Sequence, residues 1–210
     1  VSVSVVIPAF NAERYLGQAL ESVFAQTCAP LEVIVVDDGS TDATLEVAAQ
    51  FAVRVLPQAH AGITASRNAG LQAAHGTWLT FLDADDLWLP TKLERQLEVL
   101  NRAPEVELVS CRVEQFGDGT GFERFPAGDH IGCWLVARGS FDRLGLFPAF
   151  DTGDWMMWLT RARARGLREA RVDEVLYRRR LHAFNYGRDE RRKAEYARML
   201  HAHLRSRPTS

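Results

Sequence analysis

The sequence predicts an α/β fold: one domain on a mostly parallel sheet flanked by helices, with a smaller mixed region in its second half. Three observations lead there. Short, β-branched apolar runs alternate with helix-period segments through the first hundred residues. Each run ends in a polar or turn-forming cluster. With 210 residues and 47% hydrophobic content, the chain can bury one substantial core.

Residues 3–7 form a nearly continuous apolar run, as in a strand covered on both faces, and Pro8 is expected to end it because proline donates no ladder hydrogen bond. Asn11 is placed to cap a helix whose Leu16, Ala19, Leu20, Val23 and Phe24 recur at three- and four-residue spacing, closing at Cys28-Ala29-Pro30. Residues 32–36 repeat the buried-strand pattern and end in Asp37-Asp38-Gly39-Ser40; Ser40 or Thr41 is then expected to cap a helix to about Phe51. A brief strand at 53–56, a helix at 62–75 and a strand at 77–82 follow, the last ending in Asp83-Ala84-Asp85-Asp86. Beyond these, Pro90 opens a helix to about Arg102, 106–116 and 133–137 read as strands, 154–165 as a helix stopped by Gly166, and 172–177 as another strand. The Gly- and charge-rich stretch 117–128 is expected to be a mobile loop, and the Arg-rich stretch 189–207 a C-terminal helix or tail. No internal repeat marks a solenoid.

Composition excludes several classes. Lys plus Arg 25 against Asp plus Glu 27 gives a net charge of -2 and no basic footprint for nucleic acid. Cys28, Cys111 and Cys133 are an odd number at wide spacing, without the ligand spacing of a zinc site, and are expected to be reduced core residues. The first residues carry no charged leader with a small-residue cleavage site, and no apolar run approaches the roughly 20 residues needed to span a bilayer. The expectation is a soluble, cytoplasmic protein. Peripheral membrane contact through the Arg-rich end is the weaker alternative to a solvated face.

In parallel sheets, ligands bind outside the carboxyl ends of the strands. The clusters at 8–11, 37–38 and 83–86 lie at such ends, so they are expected to converge on one crevice. Asp83 and Asp85 are hard oxygen donors placed to share a ligand, which suits Mg²⁺ or Mn²⁺ together with phosphate oxygens. The plain alternative is that the acids only cap the next helix. Asp38, at the end of a neighbouring strand, can accept from a ribose hydroxyl or a base N–H. Asp154 opens the helix in Thr152-Gly153-Asp154-Trp155-Met156-Met157-Trp158-Leu159. A first-turn Asp there is either a helix-stabilising charge or a base that takes a proton from an attacking hydroxyl.

Four stretches in this order resemble the glycosyltransferases of family 2, of GT-A fold: Val3-Ser4-Val5-Val6-Ile7-Pro8-Ala9-Phe10-Asn11, Val33-Ile34-Val35-Val36-Asp37-Asp38-Gly39-Ser40-Thr41-Asp42, Ser66-Arg67-Asn68-Ala69-Gly70 and Phe81-Leu82-Asp83-Ala84-Asp85-Asp86. The resemblance runs to about Asn185. It implies a nucleotide-diphospho-sugar donor, UDP-linked in the family's commonest form, with Pro8 and Phe10 lining the base pocket and Asp38 on base or ribose. Asp83 would contact ribose or metal, Asp85 would ligate Mn²⁺ or Mg²⁺, Arg67 would pair with this acidic site, and Asp154 would be the catalytic base. The family usually has Glu-Asp where this chain has Gly153-Asp154. Arg180-Leu181-His182-Ala183-Phe184-Asn185 resembles the family's Arg-x-His-x-x-Asn segment, so His182 either reaches the metal or is a surface histidine of an Arg-rich tail. The implied domain covers 1–188, with a donor half 1–102 and an acceptor half 103–188.

The implied reaction is a metal-assisted, inverting, direct displacement. The Gln-x-x-Arg-Trp segment of processive synthases is absent, which favours transfer of one sugar. The acceptor (glycan, lipid-linked saccharide, peptide or small molecule) is expected to be chosen by 117–128 and by Trp134, Trp155 and Trp158, although aromatic residues at such spacing are more often core. One rival is a sugar-nucleotide-binding module with impaired catalysis, left open by Gly153. Another is a sugar-phosphate nucleotidyltransferase, which needs a Gly-rich loop where this chain has Pro8-Ala9-Phe10-Asn11-Ala12-Glu13. A phosphoacceptor domain built on Asp37-Asp38 lacks the Lys at a later strand end.

Overall fold

A computed structural model describes residues 1–117, 130–150 and 153–182. Most of the expected loop at 117–128, the expected C-terminal helix, Thr152 and the 183–185 part of the Arg-x-His-x-x-Asn segment lie outside these residues.

Eight strands form one mixed sheet in the order β3-β2-β1-β4-β7-β6-β8-β5. Its parallel part is β1 (Val3–Ala9), β2 (Glu32–Asp37), β3 (Arg54–Pro57) and β4 (Trp78–Phe81). The connecting helices are α1 (Leu16–Phe24), α2 (Thr44–Ala48) and α3 (Ile63–Ala73). The sheet continues with β7 (Leu135–Ala137) antiparallel to β4, then β6 (Leu108–Gly117), and β8 (Glu169–Leu181) parallel to β6. β5 (Leu87–Trp88) closes the edge. Helices α4 (Lys92–Arg102), α5 (Arg138–Leu144) and α6 (Asp154–Ala164) are the other α-helices among the described residues.

The expected α/β architecture is present, with specific differences. β1 runs through Pro8 to Ala9, because β4 pairs only as far as Val6 and leaves that side of Pro8 without a ladder partner. Asn11 does not cap α1. It adopts φ 47°, donates its N–H to Ser40 Oγ and accepts from Thr41 N, tying the β1 loop to the β2 loop, and the helix begins only at Leu16. Neither Ser40 nor Thr41 caps α2; Asp42 Oδ1 accepts from Thr44 N, and the helix has five residues. α5 and β5 carry no periodicity long enough to predict. β8 is thirteen residues long because polar residues beyond Tyr177 still pair with β6.

Val5, Val6, Ile7, Ile34, Val35 and Leu79 are wholly buried, so the first-half strands read as continuous apolar runs. Gly70 lets α3 lie against this sheet, since a Cβ there would stand 2.3 Å from Val6 Cγ1. That contact places Arg67, one helical turn earlier, at the strand ends. Trp134 and Trp158 are fully buried core, while Trp155 is half-buried with its ring edge-on to Trp134 at 5.7 Å. The three cysteines are unbonded; Cys111 and Cys133 are buried and Cys28 partly so. Among the described residues no helix is long and apolar enough to cross a membrane.

Candidate functional site

The carboxyl ends of β1, β2 and β4 open on a cavity of about 750 Å³. Pro8 to Ala12, Asp38, residues 60–63 and residues 83–86 line it, and Arg179 and His182 at the end of β8 face it from the far side. Its volume suits a nucleotide-sized ligand.

Asp38 is held by its own surroundings. One oxygen accepts from Ala61 N at 2.9 Å and Gln58 Nε2 at 2.6 Å; the other accepts from Gly62 N at 2.9 Å and lies 2.8 Å from His60 Nδ1. Burial raises its pKa, but these donors outweigh that and hold the carboxyl below the usual carboxylate range. These three donors, all from residues 58–62, hold the carboxylate in place, so Asp38 orders the 58–62 loop and the start of α3. The same arrangement lays His60 against Phe10, ring centroids 4.2 Å apart, at the exposed rim. Gly39, at φ +78° with a Cβ position 3.1 Å from His60 N, is the residue that fits this turn.

Arg67 is a buried hub. Its Nη1 donates to both oxygens of Asp154, at 3.0 and 3.1 Å, and its Nη2 donates to Asp83 Oδ1 at 3.0 Å. Burial lowers the guanidinium pKa, and the two carboxylates more than offset it, so Arg67 is held charged. Asp83 is raised by burial and lowered further by Arg67, then by His130, to below its usual range. Asp83 lines the cavity; Asp154 does not and is 1% exposed. The structure thus brings Asp154 to within one guanidinium of the cavity without opening it there.

Asp85 Oδ2 lies 2.9 Å from His182 Nε2. The tail histidine is therefore beside the acidic cluster. Burial and then the charge of Asp83 push the Asp85 carboxyl above its ordinary value, with His182 opposing. Asp86 is pushed up much further by burial and by Asp85 and Asp83. It accepts from the Tyr177 hydroxyl and from Arg180 N at 2.6 Å, so both its oxygens are committed. His130 stacks on Tyr177 at 5.1 Å and is pushed down to about 4 by burial.

Asp83, Asp86 and His130 offer three ligand atoms within 4.8 Å of one another. Asp86 already accepts one hydrogen bond on each oxygen and is pushed well above the usual carboxylate range by burial, which disfavours the ionised form a cation needs. Asp85 and His182, 2.9 Å apart, are a second candidate pair for a hard divalent cation, since a positive charge there would offset the repulsion between Asp83 and Asp85. Of the residues singled out from sequence, Pro8, Phe10, Asp38, Asp83, Asp85 and His182 line one cavity, while Arg67 and Asp154 lie behind it. Sequence reasoning missed His60, His130, Tyr177 and Arg179. Of these, only Tyr177, inside a predicted strand, carried any local signal.

The site and fold define an α/β protein with a carboxylate-rich ligand crevice at the ends of its parallel strands. Residues 4–146 match the family described as Glycosyl transferase family 2, and the chain belongs to that family. The match ends before Asp154, Arg179 and His182. An uncharacterized glycosyltransferase of Nostoc sp. is 41% identical over 112 residues, half of this chain and 35% of the relative; the matched stretch is thus about a third of that relative's length. The Escherichia coli UDP-Glc:alpha-D-GlcNAc-diphosphoundecaprenol beta-1,3-glucosyltransferase WfgD is 36% identical over 177 residues, 75% of this chain and 68% of that one. Among solved structures, the mannosyltransferase PcManGT from Pyrobaculum calidifontis in complex with GDP-Man and Mn²⁺ superposes with a TM-score of 0.78 at 22% identity, covering 99% of this chain and 65% of that one.

Proposed function

We propose that this chain is the catalytic domain, donor half 1–102 and acceptor half 103–188, of an inverting glycosyltransferase. It moves one sugar from a nucleoside-diphosphate sugar to a hydroxyl acceptor. The observation that carries the reading is the convergence of Asp38, Asp83, Asp85 and His182, from three separate parts of the chain, on one cavity beside the aromatic rim of Phe10. WfgD is named for a UDP-Glc donor and PcManGT is in complex with GDP-Man, and UDP is the first candidate here.

Phe10 and Pro8 would receive the base, on a loop tied to the β2 loop through Asn11. Asp85 and His182, with Asp83, would hold a divalent cation, Mn²⁺ or Mg²⁺, whose chemistry when bound is to neutralise charge on the phosphate oxygens. Asp154 takes the proton as the acceptor oxygen bonds to the anomeric carbon and the bond from that carbon to the diphosphate breaks. Arg67 fixes the Asp154 carboxylate against Asp83. Because Asp154 is closed off from the cavity, this role requires its surroundings to open when the acceptor arrives.

That same closure supports a second reading, a sugar-nucleotide-binding module without turnover. Thermal shift with UDP, GDP and dTDP, each with and without Mn²⁺, tests the donor site, since a ligand bound only to the folded state raises Tm. No shift with any of them rules out the donor reading. Release of nucleoside diphosphate from its sugar ester, lost in Asp154→Asn with binding retained, supports the enzyme; binding with no release in the unaltered chain supports the module.

A further inference from the structure

Most charges around the cavity are already answered from within the protein. Asp38 is held by three donors of its loop, Asp83 is paired with Arg67, Asp85 with His182, and Asp86 with Tyr177 and the Arg180 backbone. The basic side chains follow the same pattern. Arg14 lies over the Tyr15 ring at 5.0 Å, His60 is on Asp38, and His182 is on Asp85. Arg179 is the exception. It lines the cavity, is half-buried, and makes no hydrogen bond or ion pair among the described residues, though it acts electrostatically on Asp83 and His130. Its neighbours along β8 show the contrast, since Arg178 and Arg180 both lie on the Phe116 ring, at 4.6 and 4.5 Å. Side chains alternate faces along a strand, so Arg179 is turned away from that stack and into the cavity.

We propose that Arg179 binds the diphosphate of the donor, resting on the glycosyltransferase reading above. A half-buried guanidinium with no hydrogen-bonded carboxylate among the described residues is a preformed receptor for phosphate oxygens, which it can engage through two parallel N–H donors. It supplies a positive charge fixed by β8 and independent of any metal. The charge of the diphosphate, and not the base, is what Arg179 recognises.

The test compares UDP with uridine, and GDP with guanosine, on the chain and on Arg179→Met and Arg179→Lys. Calorimetry measures the diphosphates, ligand-observed NMR the nucleosides, each in Mn²⁺ and again in EDTA. Arg179→Met is expected to weaken the diphosphate by about tenfold to a hundredfold. Nucleoside binding should stay unchanged, the loss should persist in EDTA, and Arg179→Lys should recover part of it. Equal affinity for the diphosphate in Arg179→Met and the unaltered chain, or an equal loss for nucleoside and diphosphate, overturns the assignment. If the unaltered chain binds neither UDP nor GDP at millimolar concentration, the donor reading itself fails, and this one with it.

Discussion

Lys92 is fully buried on α4. Its ammonium donates to Gln96 Oε1 at 2.9 Å and Thr80 Oγ1 at 3.2 Å and lies 4.3 Å from the centre of the Trp88 ring, and no carboxylate pairs with it among the described residues. It stitches α4 to β4, the strand that ends at the acidic cluster. Burial pushes it from the usual 10.5 down to about 8. Between these values the unfolded chain holds a proton that the folded chain has released, so stability rises with pH across that window. The burden of the charged ammonium is in full force below pH 8 and is relieved as pH climbs toward 10.5. At about 1.4 kcal/mol per pH unit, the whole relief is about 3 kcal/mol, of which about 1 kcal/mol appears between pH 7 and pH 9. Lys92→Met keeps the apolar stem and removes the titration; the Gln96 oxygen it orphans imposes a roughly pH-independent cost. Urea unfolding of both proteins at pH 7, 8 and 9 should therefore show the unaltered chain gaining on the variant by about 1 kcal/mol over two pH units. Parallel pH profiles would refute an ammonium held at this reduced basicity.

Arg67→Met leaves two carboxylates without their shared partner and should cost about 3–5 kcal/mol in urea unfolding at pH 7; a loss below about 1 kcal/mol would mean that the hub contributes little to folding. Gly70→Ala forces a methyl against Val6 and should cost about 1–3 kcal/mol, read as a Tm several degrees lower; an unchanged Tm would show that α3 can back away from the sheet. Phe10→Ala should weaken the nucleoside and its diphosphate by a similar factor, about tenfold, in the same NMR and calorimetry, because a lost stacking surface acts on the base alone. A loss confined to the diphosphate would place Phe10 elsewhere in the pocket.

Much of the first half was legible because buried parallel strands need continuous apolar runs and end in turn-forming residues. Val33 to Val36 and the Asp-Asp-Gly-Ser that follows show both features in consecutive positions. The short elements were not legible: β5 has two residues and α5 seven, too few for a period to register. Asn11 misled because its residue type fits both a helix cap and a left-handed turn, and only the presence of Ser40 and Thr41 across the gap selects the second. His182 was equally ambiguous, since nothing local to a histidine in an Arg-rich segment reveals the carboxylate beside it.

By itself the sequence determined what local patterns can encode: the alternation of strands and helices, the carboxylates at strand ends, and a family resemblance carried by short ordered stretches. Tertiary structure alone decided which charges meet. It set His182 on Asp85, joined Asp83 to Asp154 through Arg67, closed three donors around Asp38, and left Arg179 with no hydrogen bond or ion pair among the described residues. Pairing between residues 16 to 97 positions apart depends on sheet order and on the depth at which each side chain is buried, and neither is written in the residues near any one of them.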